Sequence, residues 1–226
     1  MLWQKGARQF KFVDRTFNLK IETSLKIMDF FLDKISENPD DPPFAHFELI
    51  PDHLPEKLKE SIQRFPAGTL QFEIGIQTFN IEVQARISRK QKNELARENI
   101  LWLAEHSGAH LHVDLIAGLP GEDIASFAEG FDKLVALKPH EVQFGILKRL
   151  RGAPIARHSA DFKLRFNPAP PYNILSTDCI DFAGMQELSR FSRYWDMLAN
   201  SGRYTRSMEL VLGATPFQNF NTLSRW

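Results

Sequence analysis

Four segments of this chain alternate apolar and polar residues with a period of two, and stretches of helical periodicity separate them. In FAHFELI (44–50), Phe47 and Leu49 share one face while His46 and Glu48 share the other. In residues 72–77, Ile74 and Ile76 oppose Glu73, Gly75 and Gln77. HLHVDLIA (110–117) sets Leu111, Val113 and Leu115 against His110, His112 and Asp114. EVQFGIL (141–147) sets Val142, Phe144 and Ile146 against Glu141, Gln143 and Gly145. Strand–helix–strand order repeated down the chain calls for a parallel sheet, with the apolar faces under the helices. The second face is the informative one. A closed eight-stranded barrel fills its interior with Val, Ile and Leu layers. A flat doubly wound sheet reads as unbroken apolar runs. A polar face studded with glycine suits neither, and predicts a curled, incompletely closed barrel with a wet lumen. Ligands enter such folds at the carboxyl ends of the strands, which puts Glu48, Gln77 and Asp114 at the mouth.

The remaining elements follow in order. QFKFV (9–13) reads as a short first strand, and Asn18 as the cap of a helix carrying Ile21, Leu25, Met28, Phe31, Leu32 and Ile35. Asp52 and Pro55 open a helix with Leu58, Ile62 and Phe65 inside. Residues 72–91, FEIGIQTFNIEVQARISRKQ, leave their strand at Gln77 and pass through a short helical stretch to Arg89, so both side chains are expected to face one pocket. Residues 93–106 form a helix stopped by Gly108. Gly118-Leu119-Pro120-Gly121 leads into another helix, with Glu122 and Asp123 expected in its first turn. Beyond Arg149 the pattern changes: strand-like 163–167 and 172–176 flank a proline run, and 185–200 is a helix with Met185, Leu188, Phe191, Trp195 and Leu198 in one stripe. Both chain ends read as lying inside a larger protein.

Lys+Arg and Asp+Glu both number 28, a formal net charge of +0. Bulk charge therefore points to no nucleic acid and no anionic membrane as partner. No apolar run approaches the ~20 residues of a membrane helix and the start is unlike a signal peptide, so the expected location is cytoplasmic. The one cysteine, Cys179, excludes an intramolecular disulfide and any metal site built from several thiolates of this chain. A metal-dependent hydrolase using His112, Asp114 and neighbouring-strand ligands such as His46 or Glu48 is a second reading. His110 and Asp114, roughly 13 Å apart along a strand, cannot bind one ion, so such a centre has to use His112 with neighbouring-strand ligands, and no spacing in the sequence singles these out. A barrel with a purely structural or interaction role is a third.

FVDRTFN (12–18), FELIPD (47–52), EIGIQTFNIEVQARISRKQ (73–91) and HVDLIAGLPGED (112–123) together resemble the radical S-adenosylmethionine (SAM) family. The resemblance is strongest to its cobalamin-associated members and to the oxygen-independent coproporphyrinogen oxidases. It implies an α/β fold, a partial (βα)6 TIM-like barrel of which strands two to six are present. On that basis residues 1–150 are the barrel, and 151–226 are a small α+β or helical C-terminal extension, like the uncharacterised one of a cobalamin-linked subgroup. It implies that Glu48 helps hold SAM, that Gln77 and Asp114 bond its ribose hydroxyls, and that Arg89 pairs with its methionyl carboxylate. The parent would use a 4Fe–4S cluster, and cobalamin with it, for radical or methyl-transfer chemistry. The first strand, its three closely spaced cysteines and the cobalamin domain are not among these 226 residues, so this chain alone is expected to hold no cluster. Lys148, Arg149 and Arg151 are candidates for an anionic substrate group, and the open barrel edge for self-association.

Overall fold

The computed structural model describes residues 2–14 and 16–226; Arg15 of the FVDRTFN motif lies outside the described residues. Five parallel strands form one sheet in chain order: β1 (Gln9–Lys11), β2 (Phe44–Leu49), β3 (Leu70–Gln77), β4 (His110–Ala117) and β5 (Glu141–Ile146). Among the described residues no pairing closes the series from β5 back to β1. Burial alternates along β2 and β4 residue by residue, with Phe47, Leu49, Leu111, Val113 and Leu115 inside. The expected faces are therefore the observed ones. Ile146 departs from the pattern, being half-buried at the end of its strand.

The chain divides into two compact units, residues 1–75, 91–113 and 137–140, and residues 76–90, 114–136 and 141–226. In the first, β1, β2 and the start of β3 pair in parallel, with Phe10 opposite Ala45 and Glu48 opposite Glu73. Helix α1 (Ile21–Glu37) buries Met28, Phe31, Leu32 and Ile35, α2 (Glu56–Gln63) buries Leu58 and Ile62, and the two pack together. Phe17 stacks on Phe47 at 3.8 Å, and Phe12 lies 4.6 Å from the same ring.

Asn18 does not cap α1, whose N-cap is Lys20 without a side-chain cap bond. It is buried instead. Its amide donates to the carbonyls of Ile50 and His53 and accepts from the Ile50 N–H at 2.8 Å. Asn99 of α4 (Asn93–His106) donates to the Pro51 carbonyl, and Asp52 accepts from the Lys92 N–H. The loop after β2 is thus held by side chains, as a buried loop must be. On the polar face, Lys11 and His46 both approach the same Glu73 oxygen, at 3.3 and 3.2 Å. Burial and the Lys11 charge hold the His46 imidazole below its usual pKa, against the pull of Glu73.

The second unit is built on β5 and on aromatic side chains. Helix α6 (Phe182–Leu198) packs on β5. Its Trp195 donates to the Val142 carbonyl at 2.9 Å and its Ser192 to the Phe144 carbonyl at 2.6 Å, and Asn200 bonds both polar groups of Val142. These bonds occupy an edge that would otherwise invite another strand. Phe127 and Phe131 of α5 (Ile124–Val135), Phe144, Phe191 and Trp195 form one cluster, into which Phe217 and Phe220 of α8 (Pro216–Ser224) insert. Asp132 of α5 caps α8 by accepting from the Phe217 N–H at 2.7 Å. Helix α7 (Thr205–Leu212) packs on α8, and β6 (Arg165–Phe166) pairs antiparallel with β7 (Ile174–Ser176). Helix α6 begins three residues before the expected 185. Replacing Trp195 by Phe keeps the packing but removes one donor to Val142. Because Asn200 still bonds that carbonyl, the cost is about 1 kcal/mol. A thermal melt should shift down by about 2–4 °C, and an unchanged midpoint would show that the indole bond is dispensable.

Candidate functional site

The stretch 72–91 supplies the best-defined site geometry, and it lies at the carboxyl end of β3. Gln77 ends the strand with φ +66, and the Thr78 N–H bonds back to the Ile76 carbonyl at 2.9 Å. An i→i+2 bond around a positive φ is the rare, strained form of γ-turn. Strain of this kind persists only where the surroundings over-determine it, and here they do. Gln84 donates to the Thr78 carbonyl at 2.8 Å. Asn80 caps α3 (Ile81–Arg86) by accepting from the N–H groups of Glu82 and Val83, and its amide reaches Ser126. Thr78 donates from its hydroxyl to Glu122 at 2.5 Å.

Glu122 was expected in the first turn of α5, but the structure places it ahead of that helix, which Asp123 caps by accepting from the Ser126 N–H. Glu122 is 2% exposed, and its second carboxyl oxygen has no hydrogen-bond partner among the described residues. Burial raises its pKa from 4.5 to about 7, against the hydrogen bonds from Thr78 and Ser126 that lower it. The sequence signalled nothing of this. A Glu after a glycine-proline turn looks like an ordinary helix-start acid, and only the tertiary fold puts it under Thr78.

At its other end α3 closes in a Schellman pattern. The Ser88 N–H bonds the Ala85 carbonyl at 3.1 Å and the Arg89 N–H bonds the Gln84 carbonyl at 2.8 Å, with Ser88 at φ +60. Glycine is the usual residue there, and a side chain in this conformation costs roughly 1–2 kcal/mol. Glu82 pairs with Arg86 at 2.9 Å. Arg86 also donates to the Gly121 carbonyl at 3.3 Å.

Gln77 lines a cleft of about 230 Å³ with the apolar side chains of Ile87, Ile116, Leu119 and Leu147. Its further wall is Lys148 together with the one-turn 3-10 helix Pro154–His158. Asp114 stands on β4 within the same unit, half-buried on the polar face. Glu48 stands at the carboxyl end of β2 in the first unit. Of the three basic candidates only Lys148 lines the cleft. The Arg149 guanidinium lies 5.7 Å from the Phe166 ring, and Arg151 is exposed in a turn. Arg157 and His158, which the sequence reading passed over, line it instead. Among the described residues no three His, Cys, Asp or Glu side chains come together as metal ligands. No described helix is long and apolar enough to cross a membrane.

Comparison with known proteins bears on both halves of the chain. The fold is that of radical SAM enzymes. Over 76% of this chain it superposes, with a TM-score of 0.61 and 18% identity, on the radical S-adenosylmethionine methyltransferase TsrM of Kitasatospora setae, covering 34% of that chain; the structure contains tryptophan and a SAM analogue. Over 74% it superposes on the coproporphyrinogen III oxidase of Escherichia coli, a radical SAM enzyme, with a TM-score of 0.50, 19% identity and 37% coverage of that chain. In sequence the chain is similar to oxygen-independent coproporphyrinogen III oxidases. It is 32% identical to that of Paracoccus denitrificans over 95 residues, which are 42% of this chain but 21% of that enzyme. A protein family described as of unknown function (DUF4080) matches residues 160–226.

Proposed function

We propose that this chain contributes the SAM-binding part of a radical SAM enzyme's barrel. The observation that carries the reading is Gln77, held in a strained turn at the end of β3 and facing a cleft with apolar walls. A purine fits between Ile116, Leu119 and Leu147, while the Gln77 amide and the Asp114 carboxylate bond ribose hydroxyls. Arg89 follows the rigid cap of α3, and its planar fork suits the methionyl carboxylate. Glu48 is assigned to SAM by the FELIPD resemblance alone.

The parent is proposed to be an oxidoreductase or methyltransferase of the radical SAM kind. A 4Fe–4S cluster needs several thiolates, and these residues do not fit one. Cys179 is the sole cysteine, is exposed, and has its thiol pKa raised by desolvation and by Asp178. The cluster, and cobalamin with it, are therefore assigned to the parent and not to this chain.

Calorimetric titration of the chain with SAM tests the site. Gln77→Ala and Arg89→Ala should each weaken binding about 10–100-fold, the usual worth of a lost hydrogen bond to a charged or buried group. Unchanged affinity in both variants would remove the assignment.

A further inference from the structure

The function of the C-terminal segment that follows β5 is the open question, and its contacts within the second unit give an answer. The Arg157 guanidinium donates to the Ser88 hydroxyl at 2.8 Å and to the Arg86 carbonyl at 3.3 Å. Its Nε is 3.0 Å from His158, which orders the fork. Five residues on, the Phe162 ring lies 5.2 Å from the Arg86 guanidinium. A Cβ at Gly121, whose φ is +73, would meet the Arg86 guanidinium and, at 3.0 Å, the Phe162 ring, so the turn lies directly against this pair. Pro154, Ile155, Arg157 and His158 line the cleft that Gln77 faces.

The identity of residue 88 fits the same arrangement. It occupies the left-handed position that ends α3, where glycine is the unstrained choice. A serine there is unfavourable for the backbone, yet its hydroxyl is the acceptor for Arg157.

We infer that residues 154–162 act as a strap, latched through Arg157 to Ser88 and Arg86, which positions the loop carrying Arg89 and forms one wall of the cleft. Arg157 is a positioning residue. The inference gives the segment entering the DUF4080 match a role as part of the ligand site, and it rests on the SAM reading above.

The test uses the intact 226-residue chain, with SAM as probe and hydrogen exchange as a ligand-independent measure. Arg157→Ala should weaken SAM binding about tenfold and speed amide exchange at residues 86–90, with exchange in α1 and α2 unaltered. Arg157→Lys keeps a donor for the Ser88 hydroxyl and should recover much of both losses. Ser88→Gly separates latching from folding. It relaxes the backbone, so the melting temperature should hold or rise, while exchange across 154–162 speeds and SAM affinity falls. Unchanged exchange at 86–90 in Arg157→Ala, or across 154–162 in Ser88→Gly, would overturn the strap. A wild-type chain that binds no SAM would overturn the site reading, and the exchange measurements would then decide the strap by themselves.

Discussion

Gly118→Ala is expected to destabilise the protein by about 2–5 kcal/mol, a large share of the total for most domains. Gly118 has φ +87, a conformation that costs a residue with a Cβ roughly 1–2 kcal/mol. The added methyl would also sit 2.6 Å from Ile174 Cγ2 and 3.2 Å from Met185 Cε. Both neighbours are fully or almost fully buried. Forcing such an overlap in a packed core typically costs a further ~1–3 kcal/mol. The consequence is specific to the C-terminal segment, since Ile174 is on β7 and Met185 on α6. Denaturant unfolding of the variant measures the loss. Pairing it with Ile174→Ala, which removes the struck methyl, should recover part of it, so that the double variant is more stable than the two single changes add to. A Gly118→Ala chain within about 0.5 kcal/mol of the wild type, the range of an ordinary surface change, would mean that the turn and the extension are not packed as described.

Which features were legible in the sequence follows from how local their causes are. The alternation of β2 and β4 was readable because a strand's side-chain period is set by its own backbone. The bounds of β4 and α4 came out at the expected residues, 110–117 and 93–106. Asn18 shows the opposite case. Its type and place before a helix fit a cap, but the carbonyls of Ile50 and His53, more than thirty residues away, compete for it and win. Ser88 gave no signal because a helix-ending left-handed residue is recognised in sequence by being glycine. Helices α7 and α8 were missed because neither has a long apolar stripe; α8 is held by Phe217 and Phe220 entering a cluster built by other elements. Gln77 and Arg89 were singled out by the strand exit and the short helix after it, and given SAM roles by the resemblance; Gln77 lines the cleft, whose lining does not include Arg89, and the strained turn and the capped helix end hold their backbones. Glu122 stood inside a quoted motif and was still misjudged, since its burial depends on Thr78, 44 residues earlier.

That burial has a pH consequence with a definite sign. A carboxyl whose pKa is raised in the folded state, here from 4.5 to about 7, binds its proton more tightly folded than unfolded. Its contribution is intact below pH 4.5 and is lost as the pH rises through 7, the reverse of an ion-paired acid. The shift corresponds to about 3 kcal/mol in full, of which about 2–3 kcal/mol falls between pH 5 and pH 9. Glu122→Gln keeps an oxygen to accept from Thr78 and cannot ionise. It also places an amide where the second carboxyl oxygen has no partner among the described residues, so at pH 5 the variant should equal the wild type or fall slightly below it. At pH 9 the wild type carries a buried charge and the variant does not. The difference in unfolding free energy should therefore move by about 2–3 kcal/mol in favour of glutamine between the two conditions. Other titrating groups, including His46 and Asp132, are common to both chains and cancel in that difference. Parallel pH profiles for the two chains would show that Glu122 is solvated in solution, and the turn at Thr78 would lose its buried anchor.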